Sequence, residues 1–254
     1  MTLKLLKELK EKPLAFSGSS KSDTLVSASS RHPFTTTDES ATLNVELFNE
    51  EFHRSPILLC IHGVCESAET LGIQAIVSEA KKNSIRVAVL ECEGHGYSSG
   101  RRGVCTNFDR LVRHSCEFVS HVLSHFHQKD GEKEIPYALC GSSMGGVVSI
   151  YTADQIAKVT SQKVSMSNRN YLPFPGRFIG VVPICPAVGV QPAAVPDCLT
   201  VRALSCLAYI APAATVPLTP LEDPTHYNCP PNTERNYSGH WPLSTSKMLL
   251  DVTS

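Results

Sequence analysis

The amino-acid sequence predicts an α/β fold: a mostly parallel β-sheet with helices on both faces, forming one large domain. Apolar runs of strand length alternate with stretches that can form amphipathic helices, which is typical of parallel strands joined by helical crossovers. The runs are mainly apolar and do not alternate with polar residues, as expected for strands buried on both faces. At 254 residues, 42% of them hydrophobic, the chain is long enough for one large core and short for two enzymatic domains.

The first predicted elements are a flexible leader and a β-hairpin. Residues 1–31 are assigned to the leader because residues 17–30 are dominated by serine and other small polar types, which bury too little apolar surface to fix one conformation. Residues 33–36 and 42–48 flank a turn at residues 38–40, and Leu43, Val45 and Leu47 alternate with polar residues. This alternation predicts a hairpin.

Four apolar runs predict the parallel strands of the sheet, at residues 56–63, 86–94, 136–143 and 178–186. The segments between them, residues 69–82, 107–126 and 144–158, predict helices. In the second of these helices Phe118, Val122 and Phe126 fall on one face, and Asn107 can cap its start. The core of the domain is therefore predicted to span residues 32–188.

The chain changes character at Gly189, where prolines become frequent and surround one apolar segment, residues 199–210. No parallel strand is recognisable there. Residues 189–246 are therefore expected to form a cap, or lid, over the top of the sheet after the sixth strand, with a short helix in the apolar segment that rests on the site. A last helix is predicted at residues 245–251, and residues 247–254 are assigned to the start of a return to the core.

The strongest chemical signal is the GxSxG pattern formed by Gly141, Ser142, Ser143, Met144 and Gly145. The pattern begins where a predicted strand ends, and it opens a predicted helix. A serine raised above the edge of a sheet needs a strained strand-to-helix turn, and glycines two residues before and after it let neighbouring backbone approach. This context predicts that Ser143 is a nucleophile. The alternative is a serine that only caps the helix.

A second signal lies at the end of the first parallel strand, where His62 and Gly63 follow the apolar run. The backbone amide of Val64, together with that of Met144, is predicted to form an oxyanion hole beside Ser143. Each such donor lowers a reaction barrier by about 3 kcal/mol. The side chain of His62 is predicted to be structural.

Three segments, in this order and at these separations, resemble the monoacylglycerol lipase group of α/β hydrolases, which includes lysophospholipases and serine aminopeptidases of the S33 type. They are HGVCESAET at residues 62–70, ECEGHGYSSGRRG at 91–103 and CGSSMGG at 140–146. The hairpin and residues 235–250 add to the resemblance, which covers about residues 33–251. It implies an α/β-hydrolase sheet, a serine hydrolase that needs no cofactor, and a lipid-like carboxylic ester as substrate.

The resemblance also implies an acid and a histidine that complete a catalytic triad with Ser143, on loops after strands that follow the cap. Because the sequence ends at Ser254, we expect these two residues and the last two core strands to be missing, and the 254-residue chain to be nearly inactive. Four later residues would need a different geometry to replace them: Asp223, Asp251, His226 and His240. The alternative function is a truncated or non-catalytic hydrolase-like protein that binds a ligand or partner without turnover.

Two other patterns are interpreted as structural. Gly94, Gly96 and Gly100 resemble a dinucleotide-binding loop, but the spacing is off by one residue and no helix is predicted directly after them. By resemblance, residues 94–98 form a structural turn near the site. His121 and His125 stand one helical turn apart, yet HVLSH lacks the glutamate of a metalloprotease helix, so we expect no metal site.

Composition limits the partners and the compartment. A net charge of −1 argues against nucleic acid. The ten cysteines include Cys60, Cys140 and Cys185 in predicted buried strands, which favours reduced thiols in the cytoplasm over disulfides or zinc. No signal peptide or membrane span is recognisable, although residues 3–9 could form a basic helix that contacts a membrane surface, or merely a frayed terminal helix.

Loss of the last strands would expose residues 178–186 as an apolar edge and promote self-association, while the oligomeric state itself stays open.

Overall fold

The predicted parallel strands form the centre of one seven-stranded sheet in a computed structural model, which describes residues 28–131, 134–161, 176–189, 196–215 and 241–253. The strand order is β1-β3-β5-β4-β6-β7, and β2 pairs with β3. Strands β4, β5, β6 and β7 are mutually parallel, whereas β3 runs antiparallel to β5. The strands are β1 (Ser29–Arg31), β2 (Phe34–Thr35), β3 (Thr42–Phe48), β4 (Ile57–Ile61), β5 (Arg86–Glu91), β6 (Pro136–Ser142) and β7 (Arg177–Ile184).

Five helices occur among the described residues, and each lies where the sequence predicts one. They are α1 (Leu71–Lys82), α2 (Phe108–Asp130), α3 (Met144–Ser161), α4 (Cys198–Ile210) and α5 (Leu243–Thr253). Helix α2 begins as predicted, because the side chain of Asn107 accepts a hydrogen bond of 2.9 Å from the Arg110 amide. It ends at Gly131, whose left-handed conformation suits a residue without a side chain.

The core lies on both faces of the sheet, as the α/β prediction requires. Alternating residues of β3, β4 and β5 point to opposite faces. On one face Leu43, Leu59 and Leu90 pack with helices α2 and α3, and on the other Cys60 and Val89 pack with helix α1. Strand β5 is buried along its whole length, and so is β4 except for the half-buried Leu58. This packing holds the carboxyl ends of β4, β5 and β6 side by side at one edge of the sheet.

The structure corrects the predicted boundary of the leader. Residues 29–31 form β1 and pair with β3 in antiparallel register, so ordered structure begins before residue 32. The strand is stabilised by its partner: Arg31 lies 3.3 Å from the buried Glu46 carboxylate, and its guanidinium lies 3.7 Å from the centre of the Tyr97 ring. Because β1 adds one strand before the predicted hairpin, the predicted cap follows the seventh strand of the sheet and not the sixth. The predicted helix at residues 3–9 lies outside the described residues.

The last described strand is exposed, as expected of an apolar edge at residues 178–186, whereas the predicted burial of Cys185 is wrong. Strand β7 is largely exposed, with Ile179 58% and Val182 54% accessible, and Cys185 just after it is exposed as well. The reason is its position, since among the described residues β7 pairs only with β6 and lies at one end of the sheet. The nine cysteines that the structure describes are free thiols. No described helix is both long and apolar enough to cross a bilayer.

Candidate active site

Ser143 occupies the turn between strand β6, which ends at Ser142, and helix α3, which begins at Met144. Its φ angle is +50° and its side chain is exposed. A residue with a Cβ pays about 1–2 kcal/mol for this left-handed conformation, and neighbouring hydrogen bonds offset that cost. The Ser143 amide donates to the Ile184 carbonyl at 3.0 Å, and the Ser143 carbonyl accepts from Gly146 and Ala187 at 3.1 Å each. The turn thus places the exposed Ser143 side chain at the carboxyl edge of the sheet.

Two glycines permit the close packing that this turn requires. A Cβ at Gly141 would lie 2.2 Å from the Gly145 carbonyl oxygen, and a Cβ at Gly145 would lie 2.2 Å from the Ile61 carbonyl oxygen. Because real Cβ atoms essentially never come closer than 3.0 Å, no side chain fits at either position. The GxSxG pattern therefore corresponds to a physical constraint on the turn, as the sequence predicted.

The segment after β4 runs beside Ser143. A Cβ at Gly63 would lie 3.3 Å from the Ser143 Cβ, so the two backbones are close. The amides of Val64 and Met144 donate no hydrogen bond to any other described residue. Buried amides are nearly always paired in folded proteins, and both residues are buried here. These two uncommitted donors are the ones that the sequence predicted to face a substrate oxygen.

Glu66 links this segment to the turn at Ser143, and the sequence analysis did not identify it. Its Oε2 atom accepts a hydrogen bond of 2.7 Å from the Gly63 amide and one of 3.0 Å from the Ser142 hydroxyl. A carboxylate three residues after a glycine amide can turn back to that amide, which is the signal that HGVCE contains. The Gly63 amide is consequently unable to serve as an oxyanion donor, and the Val64 amide is left for that role.

The rings of His62 and His95 pack together beside the segment that follows β4, with their centres 5.0 Å apart. The Nε2 atom of His62 accepts from the Cys92 amide at 3.0 Å, and that of His95 accepts from the Cys65 amide at 3.1 Å. Burial lowers the pKa of His62 to about 4, and burial followed by the neighbouring His62 lowers the pKa of His95 to about 3. Both rings are therefore neutral acceptors at neutral pH, and the geometry agrees with the structural role predicted for His62.

Glu91 is a second residue that the sequence analysis missed. It is fully buried at the end of β5, where it accepts hydrogen bonds from the Tyr97 amide at 2.6 Å, the Asn44 side chain at 2.9 Å and the Ala68 amide at 3.3 Å. A charged residue that ends an apolar strand was the available signal. Glu91 fixes the turn at residues 94–98, which the resemblance had assigned to a structural role.

The structure does not bring a base to Ser143 within its described residues. No hydrogen bond to the Ser143 hydroxyl occurs in that part of the chain. Among the four later candidates, Asp251 lies on helix α5 and forms an ion pair with Lys247. The other three lie outside the described residues: Asp223, His226 and His240.

Two sequence patterns that resemble ligand sites were interpreted as structural: the glycine loop at Gly94, which resembles a dinucleotide-binding loop, and the histidines of helix α2, which resemble a metal site. The Gly94 amide already donates to the Ser99 carbonyl at 2.8 Å, and α2 begins only at Phe108, so no helix start follows this loop directly. His121 stacks on Phe34, with ring centres 4.7 Å apart.

One group that could hold a metal ion lies at the opposite end of the sheet from β6, where ligand atoms of His32, Glu50 and His125 are within 4.8 Å of one another. Glu50 is already bound by the Ser30 hydroxyl, and the Lys129 ammonium lies 2.7 Å from its carboxylate. A cation at this position would have to displace that ammonium. The group therefore has an occupied carboxylate and lies far along the sheet from Ser143.

The chain is similar to a known protein family and to solved structures. The family described as "Serine aminopeptidase, S33" matches residues 53–248. No curated protein sequence matches the chain.

Two solved structures cover most of the chain. A soluble variant of monoglyceride lipase from Saccharomyces cerevisiae, in complex with a substrate analog, has a TM-score of 0.57 at 16% identity over 94% of this chain and 70% of the lipase. A thermostable carboxyl esterase from Bacillus coagulans, in complex with glycerol, has a TM-score of 0.56 at 14% identity over 89% of this chain and 73% of the esterase. Both similarities concern the fold.

Other similar structures are longer than this chain. The α/β hydrolase GrgF from Penicillium sp. sh18 is 19% identical, with a TM-score of 0.49 over 73% of this chain. The chain spans 54% of the length of GrgF and 61% of the length of a hydrolase from Agrobacterium vitis S4.

Proposed function

The chain belongs to the serine aminopeptidase S33 family of α/β hydrolases, and from this premise we propose that it cleaves a lipid-like carboxylic ester with Ser143 as the nucleophile. The observation that carries the proposal is the turn itself: an exposed serine at φ +50° between two glycines that no other residue can replace. A serine that merely capped a helix would need neither the left-handed conformation nor the close approach of strand β4.

The geometry supports a two-step acyl transfer. The Ser143 oxygen attacks the ester carbonyl, and the carbonyl oxygen becomes negatively charged. The free amides of Val64 and Met144 stabilise that charge, at about 3 kcal/mol for each donor. The alcohol then leaves with a proton, and water attacks the acyl group on Ser143 to release the acid. Both proton transfers need a base that the described residues do not place at the hydroxyl.

The substrate class is supported by the relatives and by helix α4. The yeast monoglyceride lipase and the Bacillus esterase have the same fold as this chain and act on esters, as their names state. Helix α4 of the proposed cap exposes large apolar side chains, with Leu199 72% and Ile210 78% accessible. Exposed apolar groups of this size favour contact with an acyl chain or with the surface of a lipid aggregate. We therefore propose a lipid-like acyl ester and a peripheral contact with membranes.

A second candidate function has one observation in its favour. Since no described residue hydrogen-bonds to the Ser143 hydroxyl, the site could bind an ester or a partner without turning it over. A triad enzyme that lacks its serine or histidine loses about 10⁶-fold in turnover. The two functions therefore differ by an amount that is easily measured.

The test is hydrolysis of a series of p-nitrophenyl and glycerol acyl esters by the unsubstituted chain and by S143A. Hydrolysis that S143A abolishes supports the proposed enzyme. Saturable ester binding without hydrolysis, in both chains, supports the non-catalytic function. The exposed Ser78 on helix α1 gives the matched control, S78A, which should behave like the unsubstituted chain.

A further inference from the structure

Two histidines and a glutamate from three separate segments meet at the end of the sheet that β1 forms. His32 follows β1, Glu50 follows β3, and His125 lies on helix α2. One ligand atom of each residue lies within 4.8 Å of the other two, and all three residues are half-buried. Two imidazoles and a carboxylate form a donor set that suits zinc and similar transition metals. The sequence analysis missed this group because it considered only the histidines of α2, whereas the carboxylate comes from a distant segment.

The backbone around the three residues is already fixed. The His32 amide donates to the Val45 carbonyl at 2.8 Å, which continues the pairing of β1 with β3. Beside Glu50, the side chain of Asn49 donates to two backbone carbonyls, at 3.0 and 3.3 Å. His125 is held by helix α2, which packs on the core of the sheet. An ion that binds here therefore has to move side chains only.

The distances require a small side-chain movement. Zinc bonds to nitrogen and to carboxylate oxygen are about 2.0–2.2 Å long, so two ligand atoms of a tetrahedral ion lie about 3.4 Å apart. Because the ligand atoms here are no more than 4.8 Å apart, each pair has to close by at most about 1.4 Å. Ser30 already holds two of the residues together, since its hydroxyl donates to Glu50 and lies 2.9 Å from Nε2 of His32. Such outer hydrogen bonds orient the ligands of metal sites.

Lys129 shows that the group already attracts a cation. Its ammonium lies 2.7 Å from Oε2 of Glu50, with 38% of the lysine side chain and 22% of the glutamate side chain accessible. A partly exposed ion pair of this kind contributes little free energy. A divalent ion has twice the charge and also coordinates the two imidazoles, while the long lysine side chain can turn into solvent. The occupied carboxylate is therefore a weak obstacle to a metal ion.

We propose that His32, Glu50 and His125 bind one divalent transition-metal ion of the zinc type, which displaces the Lys129 ammonium and ties β1 and the residues after β3 to helix α2. Magnesium and calcium, which prefer oxygen ligands, do not suit this donor set. Because an ion that binds only the folded chain stabilises it, the site strengthens the attachment of β1, the strand at one end of the sheet.

The probe is Co²⁺, whose absorption spectrum reports its ligand atoms, with Zn²⁺ as the competitor. Thiolates also bind these ions, so the exposed Cys185, Cys198 and Cys206 are first blocked with N-ethylmaleimide. One Co²⁺ should bind per chain without the near-ultraviolet charge-transfer band of cobalt–thiolate bonds. Zn²⁺ should displace it, and Mg²⁺ should not. Zn²⁺ at 100 times its Kd should raise the thermal unfolding midpoint by about 5–10 °C.

Variants of the three ligands test each donor in turn. H32A, E50Q and H125A should each weaken Co²⁺ binding at least about tenfold, because each removes a direct ligand. H127A is the matched control, since it removes an exposed histidine of the same helix and should leave the Co²⁺ affinity unchanged.

Replacement of the lysine gives a result that a damaged fold cannot imitate. K129M removes the competing ammonium and should tighten Co²⁺ binding about two- to fivefold. K82M, which removes an ion-paired lysine of helix α1, should not. A cobalt–thiolate band in the blocked protein, unchanged affinity in the ligand variants, no gain in K129M, or no saturable Co²⁺ binding would overturn the inference. S143A should bind Co²⁺ normally, so the outcome is independent of the proposed hydrolysis.

Discussion

Replacement of Gly145 by alanine tests the packing that holds Ser143 in place. The new Cβ would lie 2.2 Å from the Ile61 carbonyl oxygen and 2.5 Å from the His62 carbonyl oxygen. To reach an allowed contact, helix α3 and strand β4 must move apart by about 1 Å. The Ile61 and His62 carbonyl groups belong to the backbone at the end of β4, so neither can rotate away from the new Cβ. Overpacking of this kind costs about 3 kcal/mol of unfolding free energy.

Urea unfolding followed by circular dichroism measures this cost, and Gly72 provides the matched control. Gly72 lies in helix α1, where an added Cβ meets nothing within 4 Å. G72A should therefore raise the unfolding free energy by about 0.5–1 kcal/mol, because alanine favours a helix and restricts the unfolded chain. If G145A were as stable as G72A, the close approach of α3 to β4 would be wrong, and with it the reason for the second glycine of GxSxG.

Three further predictions follow from the same contacts. Lowering the pH from 7 to 5 should cost about 2 kcal/mol of unfolding free energy for each of His62 and His95, because burial lowers their pKa values to about 4 and about 3. The stability that the two neutral rings contribute is complete above the unfolded pKa of about 6.5 and is lost as the pH falls towards 4. Thermal unfolding measured across this pH range checks the prediction. H95Q keeps a hydrogen-bond acceptor but does not titrate, so it should reduce the dependence of stability on pH. E66A should raise amide hydrogen exchange at Gly63 about tenfold, since a hydrogen bond to a charged group contributes about 1.5 kcal/mol, whereas E66Q should raise it less. The exposed edge of β7 should make the chain self-associate, and I179K should increase the monomer fraction in sedimentation velocity, while L71K on helix α1 should not.

Each of these predictions has an outcome that would contradict it. A stability that is flat between pH 7 and 5 would mean that His62 and His95 are not buried as neutral rings. Unchanged exchange at Gly63 in E66A would mean that the Glu66 carboxylate does not bind that amide. A chain that is monomeric without I179K would show that another part of the protein covers β7.

The turn at Ser143 could be predicted from sequence because its determinants are local. A strand, a serine flanked by two glycines and a helix follow each other within a few residues, and the spacing of the glycines reflects steric limits on the backbone. What the sequence could not give is the atom that each glycine avoids. Ile61 lies more than 80 residues before Gly145, and only the sheet order places the two together.

The elements that the sequence analysis missed depend on distant partners. Strand β1 is polar and has no apolar alternation, so its order comes from pairing with β3 and from the contact of Arg31 with Glu46. The exposure of Cys185 was missed because its apolar run was interpreted as a strand buried on both faces, and such a run does not reveal how deeply each of its residues is buried. Glu66 and Glu91 were missed although each has a local sequence signal, because that signal does not reveal the distant groups that they bind, Ser142 for Glu66 and Asn44 for Glu91.

The central claim is that Ser143 is a nucleophile beside two free amide donors, and labelling with a fluorophosphonate tests it most directly. The reagent carries its own leaving group, and oxyanion donors alone still accelerate reaction by about 10³–10⁴ over water. Mass spectrometry of digested protein should therefore find the adduct on Ser143, ahead of the other serines, and find none in S143A. An adduct that forms equally well in S143A, or no adduct on Ser143 after prolonged incubation, would contradict the assignment.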